Sequence, residues 1–438
     1  AGSTWPGHLA LENDRRILPW LVGQLKGGTI LIAGTNGKTT TAKMVKTILQ
    51  MANGKPASPA GRWQMAKVVH NEAGANLLNG IVSSLIMAAD WKGKIRAEWG
   101  IFEVDEATLP LALKEFTPKV VVLMNLFRDQ LDRYGEIDLI AKKWHNALLD
   151  LPKDTTVVLN GDDPQIAFLG KNLKAKIFYF GLNDPEITLK EKQHAMDTIY
   201  CPNCGAKLEF SRIYFSHLGE WRCPGCKIVR PKPNLTGWDW PLPGAYNRYN
   251  TLAAVLTGKA LGVEEELIKK ALTDFKPAFG RLEDFEIEGK KIRILLSKNP
   301  TGFNESIRMV VEQKGRAVLL VLNDRIPDGR DVSWIWDVDF EELNGVESII
   351  ASGDRAYDMG LRIKYALESQ KSKVPSKTRL ASGGKSQNYN SKVKIIESLR
   401  EAIENALRAV GGGETLYILP TYSAMLEVRK ILTGKKIL

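Results

Sequence analysis

The sequence predicts an α/β protein: a parallel-sheet domain built round a glycine-rich loop, a cysteine insertion inside it, and a second, Rossmann-like α/β domain at the C-terminal end. Three observations predict it. An apolar run, Thr29-Ile30-Leu31-Ile32-Ala33, leads into Gly34-Thr35-Asn36-Gly37-Lys38-Thr39-Thr40-Thr41. Apolar strand-type runs then alternate with helical patterns, as a parallel sheet requires. The chain's 4 cysteines form two C-x-x-C pairs, Cys201-Pro202-Asn203-Cys204 and Cys223-Pro224-Gly225-Cys226. At 438 residues, 44% of them hydrophobic, two or three domains are expected.

After the loop, Ala42, Val45, Ile48 and Leu49 recur on one helical face. Strand, glycine turn and helix in this order make a phosphate loop, because backbone N–H groups and the helix N-terminus face anionic oxygens. Thr35, Asn36, Gly37, Lys38, Thr39 and Thr40 are therefore candidate ATP-binding residues. Lys38 would reach the β- and γ-phosphates, and the Thr39 hydroxyl would ligate Mg²⁺. An ordinary glycine-rich βα turn is the plainer alternative. The loop departs from the common form, since Ile32 stands where its first glycine is expected.

Residues 4–28 read as a short helical lead-in through Ile17, Leu18, Leu21 and Leu25, and residues 53–66 as a loop. In Val68-Val69-His70-Asn71-Glu72-Ala73-Gly74-Ala75-Asn76, His70 and the two asparagines either meet substrate or form a polar turn. Trp99 to Val104 is a buried-type strand that ends in carboxylates, where a Mg²⁺ ligand belongs; a solvated strand end is the alternative. Val120 to Asn125 is a third strand, and Leu159-Asn160-Gly161-Asp162-Asp163-Pro164 closes a fourth.

The periodicity then breaks at the insertion, about residues 190–233. Its two cysteine pairs, 18 residues apart, can close a tetrahedral Zn²⁺ site through Cys201, Cys204, Cys223 and Cys226. With four thiolates and no open position, that metal is structural. Two disulfides are the alternative, disfavoured in a cytoplasmic enzyme. From residue 283 strands are expected at Lys291–Leu296, Ala317–Leu322, Val346–Ala351 and Thr415–Leu419, with a flexible Lys-, Ser- and Gly-rich loop at 370–392. The expected domains are thus 1–282 and 283–438.

Lys and Arg exceed Asp and Glu by 11, which suits an anionic partner: a nucleotide, a nucleic acid or an anionic lipid surface. There is no long basic block of the kind a nucleic-acid tail carries. No run is long and apolar enough for a transmembrane helix, and no signal peptide is visible, so a cytoplasmic location is expected.

The compact loop resembles that of the Mur ligase and folylpolyglutamate synthase superfamily, whose members use ATP to convert a carboxylate into an acyl phosphate that an amine attacks. The resemblance implies a metal-binding role for Glu103. It also implies an adenine-side position for Asn247, in Leu242-Pro243-Gly244-Ala245-Tyr246-Asn247, and a phosphate contact for Arg281, in Phe279-Gly280-Arg281-Leu282-Glu283. Two features depart from it: Gln130 replaces a common His, and the Asp before the segment ending Asn299-Pro300 is missing, leaving Lys298 and Asn299 as weak candidates. Roughly 30 residues precede the loop, too few for a nucleotide-sugar domain, so a UDP-linked substrate held in the usual way is not expected.

The cysteine insertion, together with Leu322-Asn323-Asp324 through Asp337 and with Leu419-Pro420-Thr421-Tyr422-Ser423-Ala424-Met425-Leu426, resembles the MurT branch, the ATP-using subunits of lipid II isoglutaminyl synthases. This implies ATP, Mg²⁺ and Zn²⁺ as cofactors, lipid II at the inner membrane surface as substrate, and a GatD-type glutamine amidotransferase as partner, with no nucleic acid. It implies further that Asp331 is offered to the partner's Cys–His pair as the third member of a triad. By pattern alone Asp331 caps a turn or pairs with Arg330, and Asp324, Asp328 and Asp337 compete for the role. Trp334 and Trp336 could anchor an interface. A nucleic-acid-dependent ATPase with a zinc-ribbon reader is the alternative function.

Overall fold

The computed structural model describes residues 4–52, 55–56, 63–64, 67–71, 75–128, 137–189, 192–276, 282–372 and 392–434. The chain divides into two compact units, Ala1–Lys192 with Met196–Lys276, and Gln193–Ala195 with Pro277–Leu438.

In the first unit, helices α1 (Trp5–Asn13) and α2 (Ile17–Val22) lead into β1 (Gly28–Ala33) and α3 (Lys38–Ala52). A short antiparallel pair, β2 (Lys55–Pro56) with β3 (Trp63–Gln64), precedes β4 (Val68–His70), α4 (Leu78–Ala88), β5 (Trp99–Val104), α5 (Thr108–Glu115) and β6 (Val120–Leu123). Then follow the helix Ile137–Leu149, β7 (Thr156–Asn160), the helix Pro164–Leu169 and β8 (Lys176–Phe180). The sheet has 6 strands in the order β4-β5-β1-β6-β7-β8, all parallel. Ile30–Ala33 of β1 and Val120–Leu123 of β6 are unbroken apolar runs because both faces are covered. Helices α1, α2, α4 and α5 share one core with Leu31, Phe102 and Val121. The predicted face of α3, Ala42, Val45, Ile48 and Leu49, is buried on the opposite side with the helix Ala245–Ala260.

The cysteine insertion leaves after β8 and carries an antiparallel hairpin, β9 (Glu209–Phe215) with β10 (Leu218–Arg222). Returning from it, the chain lays Asn234 and Leu235 along the sheet's last strand. Tyr179 N–H donates to Asn234 Oδ1 at 2.7 Å, Asn234 N–H to the Tyr179 carbonyl at 2.7 Å, and Gly181 N–H to the Leu235 carbonyl at 3.2 Å.

The second unit holds β11 (Glu283–Ile287), β12 (Lys290–Ile294), β13 (Ala317–Val321), β14 (Ser348–Ser352), β15 (Val393–Ile395) and β16 (Thr415–Pro420). Their order is β11-β12-β16-β13-β14-β15, parallel except for the β11–β12 hairpin. The strand expected from Val346 begins at Ser348, because Val346 still closes a 3₁₀ turn by donating to the Leu343 carbonyl at 3.0 Å. The helix Ala356–Ser372 runs into the start of the expected 370–392 loop; residues 373–391 of that loop lie outside the described residues.

Candidate nucleotide site and cysteine centre

Parallel pairing sets Ile32 of β1 opposite Glu103 of β5, so the phosphate loop and the Glu103 carboxylate emerge at the same sheet edge. There Thr39 Oγ1 donates to Glu103 Oε2 at 2.6 Å, and His70 Nε2 stands 3.1 Å from Glu103 Oε1. The glutamate's backbone is braced from β4's end. Its N–H donates to Asn71 Oδ1 at 2.8 Å, and Asn71 Nδ2 donates back to the Glu103 carbonyl at 2.8 Å. His70 thus belongs to the site, and Asn71 holds it together. Asn76 lends only its backbone carbonyl, to Asp105 N–H at 3.1 Å.

The loop is held in shape by the segment after β6. Asn36 N–H donates to Asn125 Oδ1 at 2.8 Å, and Asn125 Nδ2 to the Asn36 carbonyl at 3.1 Å. Thr35 Oγ1 accepts from Phe127 N–H at 3.0 Å, so this loop hydroxyl is used internally. Two glycines are obligatory. Gly34 has φ +144° and a Cβ there would come 2.8 Å from Met124 Cβ; Gly37 has φ +90° and a Cβ would come 2.1 Å from Asn250 Oδ1. Lys38 Nζ donates to the Gly34 carbonyl and, at 3.3 Å, to that of Thr35. Thr40 is buried in the first turn of α3. Asn247 is buried too, its Nδ2 donating to the Pro243 carbonyl at 2.7 Å and its Oδ1 accepting from Asn250 Nδ2 at 3.1 Å. Arg281 and Gln130 lie outside the described residues.

The Sγ atoms of Cys201, Cys204, Cys223 and Cys226 all lie within 4.8 Å of one another. Tetrahedral thiolates about 2.3 Å from Zn²⁺ would sit about 3.8 Å apart; Cys201–Cys226 stand at 3.6 Å and Cys204–Cys223 at 3.4 Å. The two turns repeat one another. Gly205 and Lys227, each directly after a C-x-x-C, have φ +72° and +64°. Cys201 and Cys223 accept from those residues' N–H groups at 2.9 and 3.1 Å, and donate to Ala206 and Ile228 carbonyls at 2.8 Å each. The donor set and the paired knuckles fit a structural zinc ion.

The ribbon is anchored on the segment after β7. Trp221 Nε1 donates to the Gly161 carbonyl at 3.1 Å. Asp162 accepts from Arg230 Nε at 2.6 Å, Tyr249 OH at 2.7 Å and Leu182 N–H at 2.9 Å; burial nevertheless pushes its carboxyl up to about 6. Asp163 caps the helix Pro164–Leu169, accepting from Gln165 N–H at 2.9 Å, and also accepts from Leu126 N–H at 2.9 Å.

In the second unit, Asp331 is exposed in the loop after β13, with Oδ1 accepting from Ser333 N–H at 2.8 Å. Its competitors are occupied differently. Asp328 is buried and receives both Ser423 N–H, at 2.8 Å, and the Ser423 hydroxyl, and Asp324 pairs with Arg355 at 3.1 Å. Asp337 is half-buried in a 3₁₀ turn. Trp334 leans on Phe303, with ring centroids 5.7 Å apart, whereas Trp336 is exposed beside Tyr365. Asn299 caps the helix Pro300–Glu312, accepting from Gly302 N–H at 2.8 Å. Asn125 and Asn250 were not singled out from sequence, and Asn71, named there as a substrate contact or turn residue, braces the Glu103 backbone instead.

Residues 32–258 match the Mur ligase middle domain, and residues 296–425 match the MurT ligase C-terminal model. The chain is 33% identical over 431 residues to a protein of Staphylococcus aureus (strain COL) named lipid II isoglutaminyl synthase (glutamine-hydrolyzing) subunit MurT, covering 92% of this chain and 94% of that one. The protein of the same name in Streptococcus pneumoniae (strain ATCC BAA-255 / R6) is 30% identical, with 100% of this chain and 93% of that one covered. Among solved structures, a pseudomurein peptide ligase type C from Methanothermus fervidus superposes with a TM-score of 0.65 at 20% identity, over 94% of this chain and 79% of that one. MurF ligase from Thermotoga maritima, in complex with ADP, gives 0.60 at 15% identity, over 96% and 82%. These structural likenesses concern the fold.

Proposed function

Because the chain belongs to the MurT family of the Mur ligases, we propose that it amidates the D-glutamate α-carboxylate of lipid II to D-isoglutamine, through an acyl phosphate formed with ATP, using ammonia from a GatD-type glutamine amidotransferase. The observation that carries this reading is the Thr39–Glu103 pair, at 2.6 Å, on the edge where Lys38 and the loop amides emerge.

A carboxylate accepts ammonia poorly because an oxide leaves badly; a phosphate leaves well. Thr39 and Glu103 would hold Mg²⁺ once their mutual hydrogen bond opens, and the ion would supply positive charge against the phosphoryl oxygens. His70 and Asn71 hold Glu103 at that place by one side-chain contact and two backbone bonds. Lys38 exchanges two loop carbonyls for the β- and γ-phosphates, and the loop N–H groups stabilise the charge that builds there. Asn247 and Arg281 are proposed for the adenine and phosphate sides. The four-thiol centre would hold zinc in a purely structural role and leaves this chain no cysteine for glutamine hydrolysis. Asp331 is proposed as the carboxylate that orients the partner's histidine while its cysteine attacks glutamine.

The test is Lys38→Ala assayed with ammonium salts, so that ammonia delivery is bypassed. Amidation should fall by roughly 100-fold or more, because a charge aimed at the transferring phosphoryl is gone. Retention of full activity would overturn the assignment. The nucleic-acid-dependent ATPase reading demands turnover stimulated by random oligonucleotide; relatives matched along the whole chain favour the ligase.

A further inference from the structure

Unit one leaves an uncommon amount of tryptophan in water. Trp91 is 88% exposed, Trp5 57% and Trp20 56%, with Met87 at 73%. These residues come from neighbouring elements. Helix α1 lies against the first turns of α4, with Gly7 N–H donating to Ser83 Oγ at 2.8 Å. Exposed Leu77 directly precedes α4, and Met87 is in its last turn. The Trp20 ring on α2 reaches 2.9 Å from where a Cβ on Gly93 would stand, and Gln24 Nε2 donates to the Gly93 carbonyl at 3.1 Å. The turn that carries Trp91 is built by Asp90, whose Oδ1 accepts from Lys92 and Lys94 N–H at 3.0 Å each.

Arg15, Arg16, Lys26, Lys92, Lys94 and Arg96 flank these side chains and are all exposed; Glu12, Asp14, Asp90 and Glu98 are the acidic residues along the same stretches. Asp14 pairs with Arg16 at 2.9 Å and Asp90 with Arg96 at 3.8 Å, and the six basic residues exceed the four acidic ones by two.

We propose that this flank of α1, α2, α4 and the Trp91 turn is a docking surface for an anionic phospholipid bilayer. Tryptophan is the side chain of the membrane interface, with a polar N–H edge and an apolar body. Lysine beside it is what an anionic headgroup layer attracts, whereas protein–protein interfaces are depleted in lysine. The inference rests on the reading that the substrate is lipid-linked. Leu77 sits next to Asn76, whose carbonyl binds Asp105 beside the Glu103 strand end, so the flank reaches the site's own edge. Held this way, the chain meets a substrate headgroup without extracting its lipid.

The experiment is vesicle flotation of the complex with its amidotransferase, using phosphatidylglycerol-rich and pure phosphatidylcholine vesicles. The wild type should float with the first only. Trp20→Ser combined with Trp91→Ser, and separately Lys92→Glu with Lys94→Glu, should each weaken binding roughly tenfold, with unchanged thermal midpoints. Amidation of a water-soluble, lipid-free substrate analogue should stay unchanged in both. Absence of wild-type binding, or variants that float as wild type does, overturns the proposal. So does a tryptophan variant that keeps its vesicles and loses the amidotransferase, which would make the flank a protein interface. Failure of the wild type to amidate the analogue would reject the ligase reading alone, leaving the flotation result to stand.

Discussion

Asp331 and Asp328 stand three positions apart and have opposite fates. Asp328 is buried against the N-terminus of the helix Tyr422–Thr433, where two donors from Ser423 consume it. Asp331 is exposed and bonded only to the turn it starts. Only the second has lone pairs to offer another chain. In the reconstituted complex Asp331→Asn should therefore cut glutamine hydrolysis by on the order of 100-fold or more, as loss of an imidazole-orienting carboxylate does. Ammonium-driven amidation should stay within about twofold, since nothing in the nucleotide site changes. Unchanged glutaminase activity would transfer the role elsewhere, and loss of the complex would make the residue an interface contact. The local pattern predicted the turn cap correctly, and the cap coexists with the proposed role because it uses one oxygen.

At the scale of elements, the central strands were legible because burial on both faces writes a continuous apolar run, as in Val120–Leu123 and Ala317–Val321. The edge strands were not. Lys176–Phe180 and Glu283–Ile287 carry charges because one face or one edge meets water, and Val393–Ile395 is three residues long. The cysteine centre was legible as spacing alone, yet what it stabilises was not, since Trp221 and Arg230 reach Gly161 and Asp162 across the fold. Cys201→Ser removes one of four thiolates and should abolish stoichiometric zinc binding and lower the thermal midpoint by at least about 5 °C. Metal analysis and calorimetry on fresh protein check this; a disulfide in place of zinc would contradict it.

For the whole molecule, a loop motif of eight residues pointed to the proposed nucleotide site, while most of the side chains that brace it stayed hidden. Asn125 and Asn250 are ordinary asparagines in sequence, and Asn71 was named only as a substrate contact or turn residue; all three reach the loop or Glu103 through the order β4-β5-β1-β6 and the packing of the helix Ala245–Ala260 on α3. The proposed division of labour would be a property of the whole chain as well. With all four cysteines gathered at one centre, the purified chain alone should release no glutamate from glutamine, yet should amidate substrate when given ammonium. Glutaminase activity that co-elutes with this chain and survives removal of the amidotransferase would contradict that assignment.

The strip Asn234-Leu235 has a colloidal consequence. It occupies hydrogen-bonding groups of β8 that an outermost strand otherwise shows to water, and such a row is a template on which another molecule's strand can grow. The strip follows closely on the ribbon's last turn, where Arg230 N–H donates to the Trp221 carbonyl at 3.0 Å. Removal of zinc from the four thiols would then bare that edge, and chelator-treated protein should scatter light as aggregate before it is met as an inactive monomer.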